Sequence, residues 1–293
     1  MSENNAPSPL SADRDLLSGH GSPLPGPASC SSLPERSVVV IVPAAGHGAR
    51  FGDQANKLFA ILDGKPLWTH CVQRLSDRPE VDQVLVAVSA SDLDRFVEET
   101  RFLSKPGRVR FVMGGAERSD TVQAALNQAF SSHQVSDSAS DQVAGGQAGD
   151  SACEMANASL KFVAVHDAAR PLIRDAELTA VFEKAAETGA AILAHRVTGT
   201  LKRELPDNLG CQTVSREGMW EAQTPQVFRL DWMRQAYARH RGRPVTDDAQ
   251  AIERLGHPVA LVNGAADNLK ITYPEDLRIA EALKQIYSDP KQL

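Results

Sequence analysis

Several stretches of this sequence carry residue types at spacings that suit polyphosphate chemistry. The first is Pro43-Ala44-Ala45-Gly46-His47-Gly48-Ala49-Arg50, followed closely by Lys57. Its small residues let backbone N–H groups approach phosphate oxygens. Arg50 offers a planar donor fork and Lys57 a compact point charge, a pairing suited to negative charge growing on phosphorus during group transfer. The competing reading is a plain glycine turn with two solvated cations. Other glycine-rich loops fit less well. A dinucleotide fold wants a glycine where Phe51 stands, and no GxxxxGK[ST] run is present.

A second stretch, Val165-His166-Asp167-Ala168-Ala169-Arg170-Pro171, places a carboxylate at the end of an apolar run. Asp167 there suits Mg²⁺, which takes one or two carboxylates plus substrate oxygens. It suits equally a turn cap paired with Arg170. His166 reads as structural, because a phosphate nucleophile has no proton to lose at neutral pH. In Gly114-Gly115-Ala116-Glu117-Arg118-Ser119-Asp120-Thr121 the glycines allow close approach to a flat base, and Thr121 can bond a base edge. A simple strand–helix turn capped by Ser119 or Asp120 explains the same run. Lys270, in Asn268-Leu269-Lys270-Ile271-Thr272, reads as a phosphate ligand or, taken alone, as a snorkelling surface residue.

Such residues need a scaffold, and the sequence alternates between two periods. Val38–Val42, Val84–Val88, Val109–Val112, Phe162–Val165 and Ala191–Ala194 read as short buried strands. Leu67–Leu75, Leu93–Phe102, Thr121–Phe130 and Leu178–Glu187 have helical spacing, and Pro274 with Glu275 starts another helix. The alternation predicts an α/β fold with a mostly parallel sheet covered on both faces. Ligands of such sheets bind beyond the carboxyl ends of the strands, where the stretches above lie. Thr200-Leu201-Lys202-Arg203 and Gln212-Thr213-Val214-Ser215-Arg216, separated by a turn at Pro206–Gly210, read as a hairpin.

Residues 1–36 and Ser131–Ser159 lack sustained periodicity and read as a disordered tail and a solvated loop insertion. The remainder, 37–293, is expected to be one domain. The 293 residues suffice for a large core, and 42% apolar with 23% charged residues is ordinary for a soluble protein. A net charge of −6 disfavours a general nucleic-acid binder. No apolar run has the roughly 20 residues of a membrane span, and the N-terminus lacks a signal-peptide pattern. The four cysteines, Cys30, Cys71, Cys153 and Cys211, form no CxxC pair, so a reducing cytoplasm is expected.

Together, PAAGxGxR, VHDAARP, TPQ, TDD and ADNLKIT, in that order between about Val38 and Leu283, resemble the methylerythritol-phosphate cytidylyltransferases of isoprenoid biosynthesis. The resemblance implies a Rossmann-like domain with a projecting β-hairpin arm, about 198–217, that interlocks two subunits of a homodimer. It implies CTP and 2-C-methyl-D-erythritol 4-phosphate as substrates and Mg²⁺ as cofactor. By position, Arg50 and Lys57 would stabilise the α-phosphate of CTP, while Ala44, Ala45, Gly46 and Gly48 would wrap the triphosphate. Gly115 and Thr121 would read cytosine. Asp167 would meet substrate and metal, with Arg170 supporting the same strand end. Lys270 would hold the attacking phosphate, with Thr200, Arg216 and Thr246 completing that pocket and the arm residues crossing from the partner. The chain departs from the family at Ala116, commonly acidic, and at Asn56-Lys57-Leu58-Phe59, usually a Pro-Lys-Gln-Tyr-like run. A ribitol 5-phosphate cytidylyltransferase and a non-catalytic nucleotide-binding regulator are the rival readings. Because the chain stops soon after its terminal helix, a single activity is expected.

Overall fold

The computed structural model describes residues 32–46, 56–140, 160–206, 209–239 and 245–288. Strand β1 (Val38–Pro43) shows why the sheet forms. Its β-branched residues favour extended backbone, and successive side chains point to opposite faces. Val38, Val40 and Val42 enter one core, while Val39 and Ile41 enter a second. A strand buried on both faces belongs in the middle of a helix-covered sheet.

The other elements follow in chain order. A short hairpin, β2 (Ile61–Leu62) and β3 (Lys65–Pro66), leads into α1 (Leu67–Asp77). Next come β4 (Val81–Val88), α2 (Leu93–Glu99), β5 (Val109–Met113) and α3 (Arg118–Ser140). After the gap come β6 (Phe162–Val165), α4 (Asp175–Thr188) and β7 (Ala190–Arg196). The hairpin β8 (Leu201–Glu204) and β9 (Cys211–Val214) precedes β10 (Trp220–Arg229). Helices α5 (Leu230–Arg239) and α6 (Asp248–Glu253), strand β11 (Ala260–Asn263) and helix α7 (Pro274–Ser288) complete the fold.

The main sheet has seven strands in the order β11-β7-β10-β6-β1-β4-β5. The pairs β1–β4, β1–β6, β4–β5 and β7–β11 are parallel, and only β10 runs against its neighbours. The first core packs α1, α4 and α7 on one face through residues such as Trp68, Phe182 and Ala280. The second packs α3, α5 and α6 on the other through Leu126, Met233 and Ile252. The chain leaves β1 first towards β4 and later returns to β6 on the other side, so a crevice opens beyond the carboxyl ends of β1 and β6.

The expected α/β, Rossmann-like, mostly parallel architecture is present, and all five expected strands exist. The helix read over Leu93–Phe102 leaves α geometry at Glu99 and finishes as a 3₁₀ turn over Thr100–Phe102. Two readings change at their borders. Leu33 is buried and Arg36 donates its backbone N–H to Pro79 O at 2.9 Å, so the folded chain starts before residue 37. Helix α3 runs on to Ser140, although Ser131 onward had read as loop. Residues 1–31 and 141–159 lie outside the described residues. The hairpin β8–β9 forms a separate two-stranded sheet, closed by Leu205 N–H bonding to Gly210 O at 3.0 Å. Its strands are mostly exposed, and Leu209 near the tip is 77% exposed.

Candidate active site

The end of β6 delivers His166 and Asp167 into the crevice. His166 is fully buried, with Nε2 at 3.2 Å from Arg170 O and Nδ1 at 3.2 Å from Thr224 Oγ1. A carbonyl only accepts, so Nε2 carries the proton and Nδ1 accepts from the Thr224 hydroxyl. Thr224 Oγ1 in turn accepts the Asp167 N–H at 3.0 Å. Burial lowers the His166 pKa to about 4, so the ring is neutral at physiological pH. That is the structural role expected of His166.

Thr224 is placed by an irregularity in β10. Ala222 pairs with Ala194 and Gln226 with Ile192, so the intervening residues leave the β7 ladder as a bulge. Gln226 then bonds Asp247 Oδ2 at 2.9 Å and accepts the Ala249 N–H at 3.1 Å, fastening α6 to the strand end.

The loop after β11 approaches from the other side. Arg170 Nη1 donates to Asn268 O at 2.6 Å, Asn268 Nδ2 to Thr224 O at 3.1 Å, and Ile271 N–H to Ala169 O at 2.8 Å. These clips fix Lys270, whose Nζ lies 2.8 Å from Asp167 Oδ2. Arg118 Nε stands 3.9 Å from Asp167 Oδ1 and Arg170 Nε 3.8 Å from Oδ2. Burial alone would push the Asp167 carboxyl up. Lys270 and Arg118, then Arg170, outweigh it and hold the pKa down at about 2. The carboxylate is therefore ionised, and of these three cations Lys270 alone is near enough to hydrogen-bond its oxygens.

Asp167, Lys270 and Arg118 line a cleft of about 350 Å³ together with Pro43, Ala44, Ala45, Gly46 and Lys57. Ala44 N–H is spent on Ala87 O at 2.7 Å, so the amides left for a polyphosphate begin at Ala45. Lys57 Nζ donates to Ile271 O at 2.7 Å, beside Lys270. Asn56 caps the turn of Lys57 by accepting Leu58 N–H at 3.1 Å and is itself tied to Asp92 at 2.9 Å. This is what the departure from a Pro-Lys pattern does locally. Arg50 and Gly48 lie outside the described residues.

The loop after β5 forms the opposite wall. A Cβ on Gly114 would collide with Ala45 Cβ, so glycine lets the two loops meet. Thr121 Oγ1 accepts Gly115 N–H at 3.1 Å and lies 3.0 Å from Glu117 O, to which it donates. Its hydroxyl proton therefore serves the turn, which narrows the base-reading role expected of Thr121. Ala116 and Glu117 also line the cleft.

The other expected substrate contacts stand apart. Arg170 is buried behind Asp167. Thr200 and Arg216 lie exposed at the hairpin, with Arg216 Nη1 bonded to Thr198 O. Thr246 is exposed beside α6, its N–H on Gln250 Oε1 at 3.2 Å. None of these four lines the cleft of its own chain. Reading the sequence missed Arg118, Thr224 and Asp248. Arg118 did leave a signal, since a cation in the first turn of a helix opposes the helix dipole and needs a partner.

A larger, more apolar cavity of about 820 Å³ opens around Leu33, Phe130, Phe162 and Leu230, at the far ends of the strands. It shares no residue with the cleft, and neither Asp167 nor Lys270 lines it. The smaller cleft is therefore the candidate site.

The donors that a magnesium ion would find in the cleft centre on Asp167. Among the described residues no three His, Cys, Asp or Glu side chains cluster for metal binding. Asp167 supplies one ionised carboxylate whose Oδ1 has no hydrogen-bonding cation among the described residues, so a hard cation there would draw its other ligands from substrate oxygens and water.

Comparisons with known proteins show which family the chain resembles. Residues 38–139 and 134–285 match the family described as 2-C-methyl-D-erythritol 4-phosphate cytidylyltransferase. A protein of that name from Rhodopirellula baltica is 53% identical over 249 residues, spanning 84% of this chain and 94% of its own length. Another from Symbiobacterium thermophilum is 39% identical over 250 residues, 84% of this chain and 92% of its own. The crystal structure of the enzyme of that name from Thermus thermophilus superposes with a TM-score of 0.60 at 32% identity, covering 85% of this chain and 99% of that one.

Proposed function

The chain belongs to the 2-C-methyl-D-erythritol 4-phosphate cytidylyltransferase family, and from that premise we propose how its own residues carry the reaction. It transfers CMP from CTP to 2-C-methyl-D-erythritol 4-phosphate and releases pyrophosphate, a step of non-mevalonate isoprenoid synthesis. A phosphate oxygen of the sugar-alcohol phosphate attacks the α-phosphorus of CTP. The bond from that phosphorus to the bridging oxygen breaks, and the electron pair leaves with pyrophosphate. The nucleophile is already ionised at neutral pH, so no base is needed. The buried, neutral His166 fits that economy.

The observation that carries the assignment is Asp167 with Lys270 at 2.8 Å, at the crevice between β1 and β6. In the proposal, Lys270 exchanges Asp167 for the attacking phosphate. Lys57, beside it at Ile271 O, and Arg50 stabilise the charge growing on the α-phosphate. The amides of Ala45 and Gly46, with Ala44 and Gly48, wrap the triphosphate. The turn of Gly115 and Thr121 borders cytosine, and with Ala116 in place of an acid its backbone groups carry more of the selection. Asp167 is the carboxylate for Mg²⁺ and Arg170 braces it. When bound, Mg²⁺ supplies positive charge that binds phosphate oxygens and offsets charge on the departing pyrophosphate.

We further propose a homodimer. The exposed hairpin lacks a core of its own, and a lone two-stranded hairpin is marginal in water. Pairing about a two-fold axis would bury it and carry Thr200 and Arg216 to the other subunit's cleft, beside Thr246. A cytoplasmic setting is proposed from the composition. No helix among the described residues is long and apolar enough to cross a membrane.

Measuring pyrophosphate release with each nucleoside triphosphate against 2-C-methyl-D-erythritol 4-phosphate and ribitol 5-phosphate tests the assignment. Release should need CTP, the methylerythritol substrate and Mg²⁺ together. Faster release with ribitol 5-phosphate, or equal rates without Mg²⁺, would overturn the corresponding part.

A further inference from the structure

Arg118 opens α3, where the helix N-terminus already carries partial positive charge. Its guanidinium is nevertheless mostly covered, the side chain being 33% exposed. The partner that compensates is Asp248, from α6, whose Oδ2 accepts Arg118 Nη2 at 2.7 Å. Asp248 is completely buried, and its Oδ1 accepts the Tyr237 hydroxyl at 2.5 Å. An acid with both oxygens bonded and no access to water is a rigid anchor. On its other edge, Arg118 Nε lies 3.9 Å from Asp167 Oδ1. That is too long for a hydrogen bond and short enough for strong attraction.

The asymmetry between 2.7 Å and 3.9 Å has a chemical use. A guanidinium seated on Asp167 would fill the lone pairs that a cation needs. A guanidinium held just out of reach keeps the carboxylate ionised while leaving Oδ1 open. Among the described residues, Asp248 is the only hydrogen-bond partner of the Arg118 side chain, so the stand-off depends on it. We infer that Arg118 is a positioning residue for Asp167, and that the buried Asp248–Tyr237 pair sets its distance so that Asp167 stays free to bind a divalent cation with the nucleotide. This rests on the reading of Asp167 as the metal carboxylate.

The test uses Mn²⁺ as a paramagnetic probe, titrated into full-length protein saturated with CTP and read by water-proton relaxation. In Asp248→Asn the bond from Tyr237 is retained, but the charge holding Arg118 is gone. Arg118 then has Asp167 as its nearest anion, closes the gap and caps Oδ1. Mn²⁺ affinity should fall at least ~10-fold, the scale of losing support for a metal ligand. The paired change Arg118→Gln with Asp248→Asn removes the capping cation as well and should restore affinity to within about threefold of wild type. Undiminished affinity in Asp248→Asn overturns the inference. So does a double variant as weak as the single, because Arg118 is then not the cause. Should Asp248→Asn not fold, Tyr237→Phe, which keeps Arg118 but frees the Asp248 oxygen that Tyr237 fixes, takes its place: a few-fold loss of Mn²⁺ affinity sustains the inference and undiminished affinity overturns it. Asp167→Asn is the separate control. If it leaves Mn²⁺ affinity unchanged, the reading of Asp167 itself has failed.

Discussion

Replacing Asp167 with Asn probes the centre of the site by two independent readouts. The carboxylate has Lys270 at 2.8 Å, Arg170 at 3.8 Å and Arg118 at 3.9 Å, and it compensates all three cations. Burial opposes its charge, but those cations prevail and lower the pKa from 3.8 to about 2. That difference is worth about 2 kcal/mol of folding stability at neutral pH. Because the folded pKa is depressed, the contribution is present above pH 3.8 and is lost as pH falls through about 2. Asp167→Asn should therefore lower the melting temperature by about 4–8 °C at pH 7 for a folded unit of this size. The gap to wild type should close progressively below pH 4. Scanning calorimetry across pH measures it. Turnover at pH 7 should drop at least ~10²-fold in parallel, the scale of losing one group aimed at the transition state. A melting temperature that is unchanged or raised at pH 7 would refute the electrostatic reasoning, and so would a gap that persists in acid.

Two further outcomes follow from the same geometry. The pKa of His166 is lowered from 6.5 to about 4, so wild type should lose about 3 kcal/mol as pH falls across that interval. His166→Gln should flatten the difference, and denaturant unfolding at several pH values that shows an unchanged slope would exclude the buried neutral ring. For the dimer, Arg216→Ala and Lys57→Ala should each be weak alone. Co-refolded at random they should recover towards about a quarter of wild-type turnover, because half the dimers then hold one intact site. No recovery, with heterodimers demonstrated, would place Arg216 outside the partner's cleft.

The parts of the fold that were legible in the sequence are those where one residue class fills an element. β1, β6 and the Val84–Val88 part of β4 are runs of largely buried apolar residues, and α1 repeats Leu67, Cys71, Val72 and Leu75 along one face. β10 escaped because its inner half carries Gln223, Thr224 and Gln226, buried polar residues whose partners lie on other segments. β11 escaped because it is a half-exposed edge strand of ordinary composition. The polar second half of α3 has no apolar period to announce a helix. At the site, Asp167 stood out at the end of an apolar run, whereas Lys270 read alone as a surface residue and took its role from the family resemblance. The partner of Arg118 was not legible, because Asp248 lies 130 residues further along the chain.

The central claim is that Lys270 leaves Asp167 to hold the attacking phosphate. Steady-state turnover of Lys270→Ala against 2-C-methyl-D-erythritol 4-phosphate, with CTP affinity measured on the same preparation, tests it most directly. Lys270→Ala should lose at least ~10²-fold in kcat/KM for the phosphate substrate, with CTP affinity within a few-fold of wild type. Near-normal kcat/KM for that substrate would contradict it.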